Sequence, residues 1–208
     1  MAGDTMSNAG LARALAAAGL IQFGRFEQPG GAPWPISIHL SWLPSYPGTL
    51  REVAQALAPL LDGLGVDRVL AAPGALPVAV ALGLETGMPV VYAAGEASAA
   101  TAAYAIEGAY DVGHPTALLL DRLLDAAQAQ AIGALAGRVG LDVHAALCVL
   151  DLGLGARQAL EAGGWTVRAA LTLDEALPAL EAAGVLPPVM RASVQAWIDD
   201  CRRDPSCG

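Results

Sequence analysis

The sequence predicts an α/β protein built on a central, mostly parallel sheet of about five strands flanked by helices, with a small N-terminal hood. Three observations carry this. From Val66 onward, short apolar runs alternate with stretches of helical periodicity, the pattern of a sheet covered by helices. The segment before them, "IQFGRFEQPGGAPWPISIHLSW", is punctuated by Pro and Gly and alternates like a strand pair, which suits a small antiparallel hairpin. Cap and turn residues separate the runs at regular intervals.

In chain order, a helix is expected over Ser7 to Ala18, then the hood over about 20–45. Thr49 and Glu52 have capping-box spacing and open a helix whose Leu50, Val53, Leu57, Leu60 and Leu61 share one face. Strand Val66 to Ala72, the turn "APGALP" and a helix to about Thr86 follow, then strand Pro89 to Ala93 and the Ala-rich "AGEASAATAAYAIEGAY". Strand Thr116 to Leu120 precedes a helix from Asp125 to Ala136. Strand Asp142 to Leu150 precedes a helix that Gly163 and Gly164 terminate. Strand Trp165 to Leu171 leads to a second capping box, Thr172 and Glu175, opening a helix to about Ala183. A terminal helix follows the double proline. The organisation expected is an N-terminal helix over 1–19, one domain over 20–185, and a C-terminal helix and tail over 186–208.

Hydrophobic residues make up 55% and aromatics only 5%, so the core is aliphatic. The net charge is −9 with a pI near 4.6, and all 11 basic residues are Arg. That field disfavours phosphate-rich partners, and without a basic stripe no nucleic-acid partner is expected. Lacking lysine, the chain has no ε-amine for a Schiff base or a general acid. Cys148, in "HAALCVL", reads as core packing; Cys201 and Cys207 read as two free surface thiols, a local disulfide being the other reading. Asp4 and Arg13 argue against a signal peptide, and the longest uncharged run, Val69 to Leu84, holds Pro73, Gly74, Pro77 and Gly83, which is wrong for a membrane span. A cytoplasmic protein with no membrane partner is expected. His39, His114 and His144 lack metal-ligand spacing and read as structural, and the four tryptophans read as packing anchors. Asp121 and Glu107 at strand ends are the one carboxylate pair weighed as a metal site; no metal ligand is assigned.

The stretches "GLIQFGRFEQPGGAPWPISIHL", "YPGTLREVAQALAPLLDGLGVDRVLAAPGALPVAVALGLETGMPVVY", "AIEGAYDVGHPTALLLD" and "ARQALEAGGWTVRAALTLDEAL" resemble the orotate phosphoribosyltransferases, of the type I phosphoribosyltransferase fold, over roughly Leu20 to Leu177. The resemblance implies an enzyme using PRPP and Mg, acting as a homodimer. It also implies where that chemistry would sit. The family's catalytic segment carries an Arg-Lys pair, a second Lys and a His-Gly; here Tyr92, Glu96, Ile106, Glu107 and Gly108 are kept, and Ala94, Gly95, Ser98 and Ala100 stand at the cation positions. Losing one such contact costs on the order of 3 kcal/mol of transition-state stabilisation.

The family's PRPP motif falls on "TALLLDRLLDAAQAQ". Its first acid is Asp121 and its second becomes Arg122; its Thr, Gly and Ser positions become Asp125, Ala126, Ala127, Gln128 and Ala129. A phosphate cradle needs glycine backbone and hydroxyl donors, whereas Asp125 and Gln128 have the spacing of an N-cap and its partner. The base-facing Asp-Arg reads Asp151-Leu152, and the hood Lys is replaced within "FEQPGG".

The expectation is therefore an orotate phosphoribosyltransferase-like protein without PRPP binding, with no catalytic residue assigned, acting as a binding or regulatory module. Its altered pocket, formed by Gly74, Ala75, Glu107, Asp121, Arg122, Asp125 and Gln128, would take a small molecule, with no cofactor. The alternative is an active orotate phosphoribosyltransferase of pyrimidine nucleotide biosynthesis requiring Mg and PRPP, or an enzyme of different substrate on the same fold.

Overall fold

The computed structural model describes residues 7–28, 32–94 and 106–203. Helix α1 (Asn8–Ala17) starts where the Ser7 side chain accepts the Gly10 N–H, and it buries Leu11, Ala12 and Leu15. Strands β1 (Ile21–Phe26) and β2 (Trp34–Ile38) pair antiparallel with Ile21 opposite Ile38, forming the hood hairpin. A 3-10 segment, Leu40–Ser45, leads to α2 (Pro47–Leu57). This helix begins two residues before the expected Thr49. Pro47 has its φ preset for a first helical turn and no donor to lose there, so the chain enters the helix at Pro47, and no side chain caps it. Thr49 and Glu52 form no capping box.

The remaining elements alternate: β3 (Arg68–Ala71), α3 (Leu76–Thr86), β4 (Val90–Ala93), β5 (Ile106–Glu107), β6 (Pro115–Leu123), α4 (Ala126–Arg138), β7 (Asp142–Asp151), α5 (Ala156–Ala162), β8 (Thr166–Thr172), α6 (Leu173–Ala182) and α7 (Pro188–Arg203). The sheet order is β5-β4-β3-β6-β7-β8. All pairings are parallel except β4 with β5. The sheet thus has six strands where about five were expected, because β5 is two residues long and offers no periodicity to read. In the middle strands consecutive side chains are buried, Leu118, Leu119 and Leu120 among them, as a parallel sheet covered on both faces requires. Each such leucine contributes about 1.5–3 kcal/mol relative to exposure.

Downstream, Thr172 and Glu175 make the expected capping box of α6, both reciprocal bonds present. Gly163 ends α5, and Gly164 takes φ +85°. Helix α7 packs on the hood, where Trp197 lies against Trp34 with ring centroids 5.2 Å apart. Cys148 is buried and free, as expected. The surface-thiol reading of Cys201 is overturned: Cys201 is buried on the inner face of α7, because it follows Val194, Trp197 and Ile198 along the helix's apolar stripe, and it is disulfide-bonded. Cys207 lies outside the described residues. No described helix is long and apolar enough to cross a membrane.

At the amino end of the sheet, Asp67 joins two strands. Its Oδ2 accepts from His114 Nδ1 at 2.5 Å and its Oδ1 from Arg68 Nε at 3.1 Å, while the buried Arg68 also donates to the Ala109 carbonyl at 3.0 Å. The His114 bond, aided by Arg68 and opposed by desolvation, holds the Asp67 carboxyl below the ordinary carboxylate range. A carboxyl lowered on folding adds stability above its unfolded pKa, about 3.9, and loses it as pH falls through the folded value. Asp67→Asn is therefore expected to flatten the stability loss below about pH 4 in acid-titrated thermal melts; an unchanged acid limb contradicts this.

Gly108 follows β5 at φ +123°, and an added Cβ would meet Val91 Cγ1 at 2.9 Å and Val91 Cα at 3.1 Å. The preserved Ile106-Glu107-Gly108 thus has a scaffold reason: the chain runs alongside Val91 of β4 at contact distance. Gly108→Ala should cost about 1–3 kcal/mol in urea unfolding, since backbone strain and overpacking add.

Candidate functional site

In parallel sheets, ligands sit beyond the carboxyl ends of the strands, and there the turn after β3 meets the end of β6. Gly74 lets its backbone come so close to Asp121 that a Cβ would stand 3.1 Å from Asp121 Oδ2. Ala75 is buried beside it. Asp121 Oδ1 accepts the Arg122 N–H at 2.9 Å, and the Arg122 guanidinium lies 3.9 Å from Asp121 Oδ2 and 3.5 Å from the Ile38 carbonyl of the hood. Gly74 and Asp121 thus meet across the turn, with Ala75 and Arg122 next to them along the chain.

Glu107 is not among them. It pairs across β5 and β4 with Tyr92, whose hydroxyl donates to Glu107 Oε2 at 2.5 Å. That bond, then the carboxylate's charge and then burial, hold the Tyr92 phenol above its usual range. Because β4 and β3 separate β5 from β6, Glu107 stands three strand spacings, roughly 14 Å, from the strand of Asp121. The carboxylate pair weighed as a metal site does not form, and among the described residues no group of three or more His, Cys, Asp or Glu could hold a metal ion. Of the cation positions, Gly95, Ser98 and Ala100 lie outside the described residues and Ala94 ends the described stretch after β4; of the hood segment 26–31, residues 29–31 lie outside them.

At the start of α4, Asp125 is the N-cap and its Oδ1 accepts the Gln128 N–H at 3.1 Å. The strand-turn-helix that would cradle a phosphate is an ordinary capped helix start, such a cap being worth about 1 kcal/mol. A carboxylate stands at the turn where a phosphate cradle needs hydroxyl donors and glycine backbone, so this turn does not fit the phosphate of PRPP.

The turn after β7 is held by a buried acid. Asp151 is 4% exposed; its Oδ1 accepts the Gly153 N–H at 2.9 Å and its Oδ2 the Arg157 Nε at 2.8 Å. Arg157 also donates to the Val167 carbonyl of β8 at 3.0 Å. Burial is the largest single influence and pulls the Arg157 guanidinium down, but the bond to Asp151 and the nearby negative charges, Asp151's first, together outweigh it and the net shift is upward. From α7, Arg202 reaches the same turn, donating to the Gly153 carbonyl at 2.5 Å and to Asp174 Oδ2 at 3.3 Å. An added Cβ at Gly153, which has φ +72°, would stand 2.9 Å from that guanidinium.

Between these parts lies a cavity of about 350 Å3. The start of α4 forms one wall through Leu124, Asp125 and Ala126, and the Leu154–Ala159 stretch forms another. Cys201 and Arg202 of α7 close it. Of the expected pocket residues only Asp125 lines it; Gly74, Ala75, Glu107, Arg122 and Gln128 do not, nor does Asp121. The contributions of Leu154, Ala159, Cys201 and Arg202 were missed, and only the Gly-rich turn "DLGLG" signalled a close approach in this part of the chain.

Removing Arg157 would leave Asp151 charged, buried and half satisfied. Arg157→Leu is expected to cost about 3 kcal/mol, whereas Arg25→Leu, at an exposed pair with Glu27, should cost under about 1 kcal/mol by chemical denaturation. Equal costs would show that the Asp151 pair does not anchor the turn.

No family model matches the chain. It is similar to the orotate phosphoribosyltransferase of Halobacterium salinarum, at 33% identity over 172 residues covering 81% of this chain and 96% of that protein. It is likewise similar to that of Cenarchaeum symbiosum, at 32% over 189 residues covering 88% and 94%. A Nostoc bifunctional enzyme PyrF/PyrE matches at 29% over 165 residues, 79% of this chain, and the chain spans 35% of its length. Among solved structures, Leishmania donovani UMP synthase superposes with a TM-score of 0.84 at 28% identity, covering 94% of this chain and 43% of that one. The orotate phosphoribosyltransferase of Aeropyrum pernix superposes at 0.67 with 22% identity, covering 84% and 99%, which supports the fold alone. With about a third of the aligned residues identical along nearly the full length of two such enzymes, the chain belongs to the orotate phosphoribosyltransferase family.

Proposed function

We propose that this family member does not bind PRPP or make orotidine monophosphate, and that it serves as a binding or regulatory module, a homodimer in the cytoplasm. One observation carries the reading: Asp125 caps α4 at the position where the family's motif offers hydroxyls and glycine backbone to a phosphate. Compensating cations are scarce. Arg122 lies beside Asp121, Arg157 is bound to Asp151, and Arg202 is bound to the Gly153 carbonyl and Asp174. A multiply charged ligand entering a protein of charge −9 would lose hydration without gaining a free charged partner, at several kcal/mol per unpaired charge. The homodimer rests on the family alone.

The relatives support a second reading more directly. The proteins from Halobacterium salinarum and Cenarchaeum symbiosum are named orotate phosphoribosyltransferases, so an active enzyme requiring PRPP and Mg, or one with another substrate on this fold, is the alternative. Calorimetry with Mg and PRPP, run beside an orotate-consumption assay, separates the two. The expected result is a dissociation constant weaker than about 1 mM and no turnover above background. Micromolar binding, or turnover that vanishes on Asp121→Ala, would establish the enzyme instead.

A further inference from the structure

Helix α3 is apolar on every side, a composition that belongs to a fully covered helix. Val78, Ala79 and Leu82 are buried against the molecule, yet Val80 and Leu84, one turn apart on the opposite face, are exposed, Leu84 to 85%. The half-buried Leu76 and Pro77 extend that outer face toward the start of the helix. The 3-10 segment Leu40–Ser45 packs against α3 and exposes Trp42 to 49%; Tyr46, which follows it, is exposed as well. The Trp42 ring is held by stacking on His39, with centroids 4.1 Å apart and planes 6° from parallel. Neither Leu40 to Leu50 nor Val69 to Leu84 contains an Asp, Glu, Lys or Arg. Two uncharged stretches thus adjoin on a chain of charge −9, and large apolar and aromatic side chains stand out from both. Exposed surface of this kind marks an interaction site.

The charge selects the occupant. A basic partner is drawn to the acidic remainder of the surface and finds no acid on this face. Two copies of the chain repel each other wherever acid meets acid, whereas this face brings no charge into the contact. We propose that the outer face of α3, with Trp42 and Tyr46 beside it, is the surface through which two copies of this chain pair about a two-fold axis. The pairing rests on the homodimer proposed above and gives it a contact surface drawn from this chain's own residues. A two-fold at Val80 sets the two helices antiparallel with Leu84 opposite the partner's Leu76, because Val80 lies midway between those positions. From Leu76 to Leu84 the helix rises only about 12 Å, so the helix pair forms the centre and the aromatic side chains widen it. Aromatic residues suit that place, and the stack on His39 fixes Trp42 before association, which lowers the entropy lost on binding.

Sedimentation equilibrium of the full chain should give a dimer with a dissociation constant of about 10 µM or tighter. Raising NaCl from about 0.05 M to about 0.5 M should tighten it, because salt screens the repulsion between two chains of charge −9 and the contact holds no ion pair to weaken. Leu84→Glu and Val80→Glu each set two carboxylates into the contact and should weaken the dimer at least about a hundredfold. Both positions are exposed, so the circular dichroism spectrum should be kept. Val189→Glu, at an exposed position on α7, should leave the dimer unchanged. A dimer that Leu84→Glu and Val80→Glu leave intact, or that salt loosens, overturns this face and leaves the homodimer standing. A monomer up to about 100 µM overturns both; binding of that monomer to vesicles of neutral lipid would assign the face to a membrane instead. Neither result bears on PRPP, which the calorimetry described above tests apart.

Discussion

A carboxylate taken out of water must have both oxygens occupied, and Asp151 meets that demand at the end of the ten-residue strand β7. One oxygen fixes the Gly153 N–H and so sets the turn; the other fixes Arg157 and so orients α5. Arg157 then reaches the Val167 carbonyl on β8, and the turn offers the Gly153 carbonyl to Arg202. Through these bonds one buried acid at the end of β7 ties that strand to the edge strand β8, to a helix and to α7, which in turn carries Trp197 onto the hood. The same acid raises the nearby Cys148 thiol, already raised chiefly by burial, so that cysteine is inert core material.

The ends of β6 and β7 have the geometry of a ligand-binding α/β edge. The glycine that lets the chain approach Asp121 remains, at Gly74, and so does the strand-turn-helix after β6. At that turn the chain presents the Asp125 carboxylate, as the cap of α4, and the Ala126 side chain. Arginines at this edge satisfy the protein's own acids and carbonyls, which stabilises the turns.

The parallel strands were legible in the sequence because both faces of each are buried, so the apolar runs Asp142 to Leu150 and Trp165 to Leu171 coincide with β7 and β8 to within one residue at each end. Local chemistry was legible too: the Asp125 cap and the Thr172-Glu175 box lie within three residues of their partners. What could not be read was set by distance along the chain or by competition. Glu107 and Asp121 look alike in sequence, but strand order separates them. Thr49 lost to Pro47 as a helix start. Arg202 acts 49 residues from Gly153, and neither Cys201 nor Arg202 declares in its own neighbourhood that α7 folds back over the cavity.

Helix α7 touches the hood at Trp197 and the Gly153 turn at Arg202, five residues apart on one rigid rod, a rise of about 7.5 Å. A stiff element fixed at two points allows neither end to relax alone. The hood hairpin, small and without a core of its own, is thereby recruited into the cooperative unit of the sheet, and its opening free energy is borrowed from that unit. A loosening at the tryptophan pair would register at the cavity as lost order, with no contact in the cavity itself having changed.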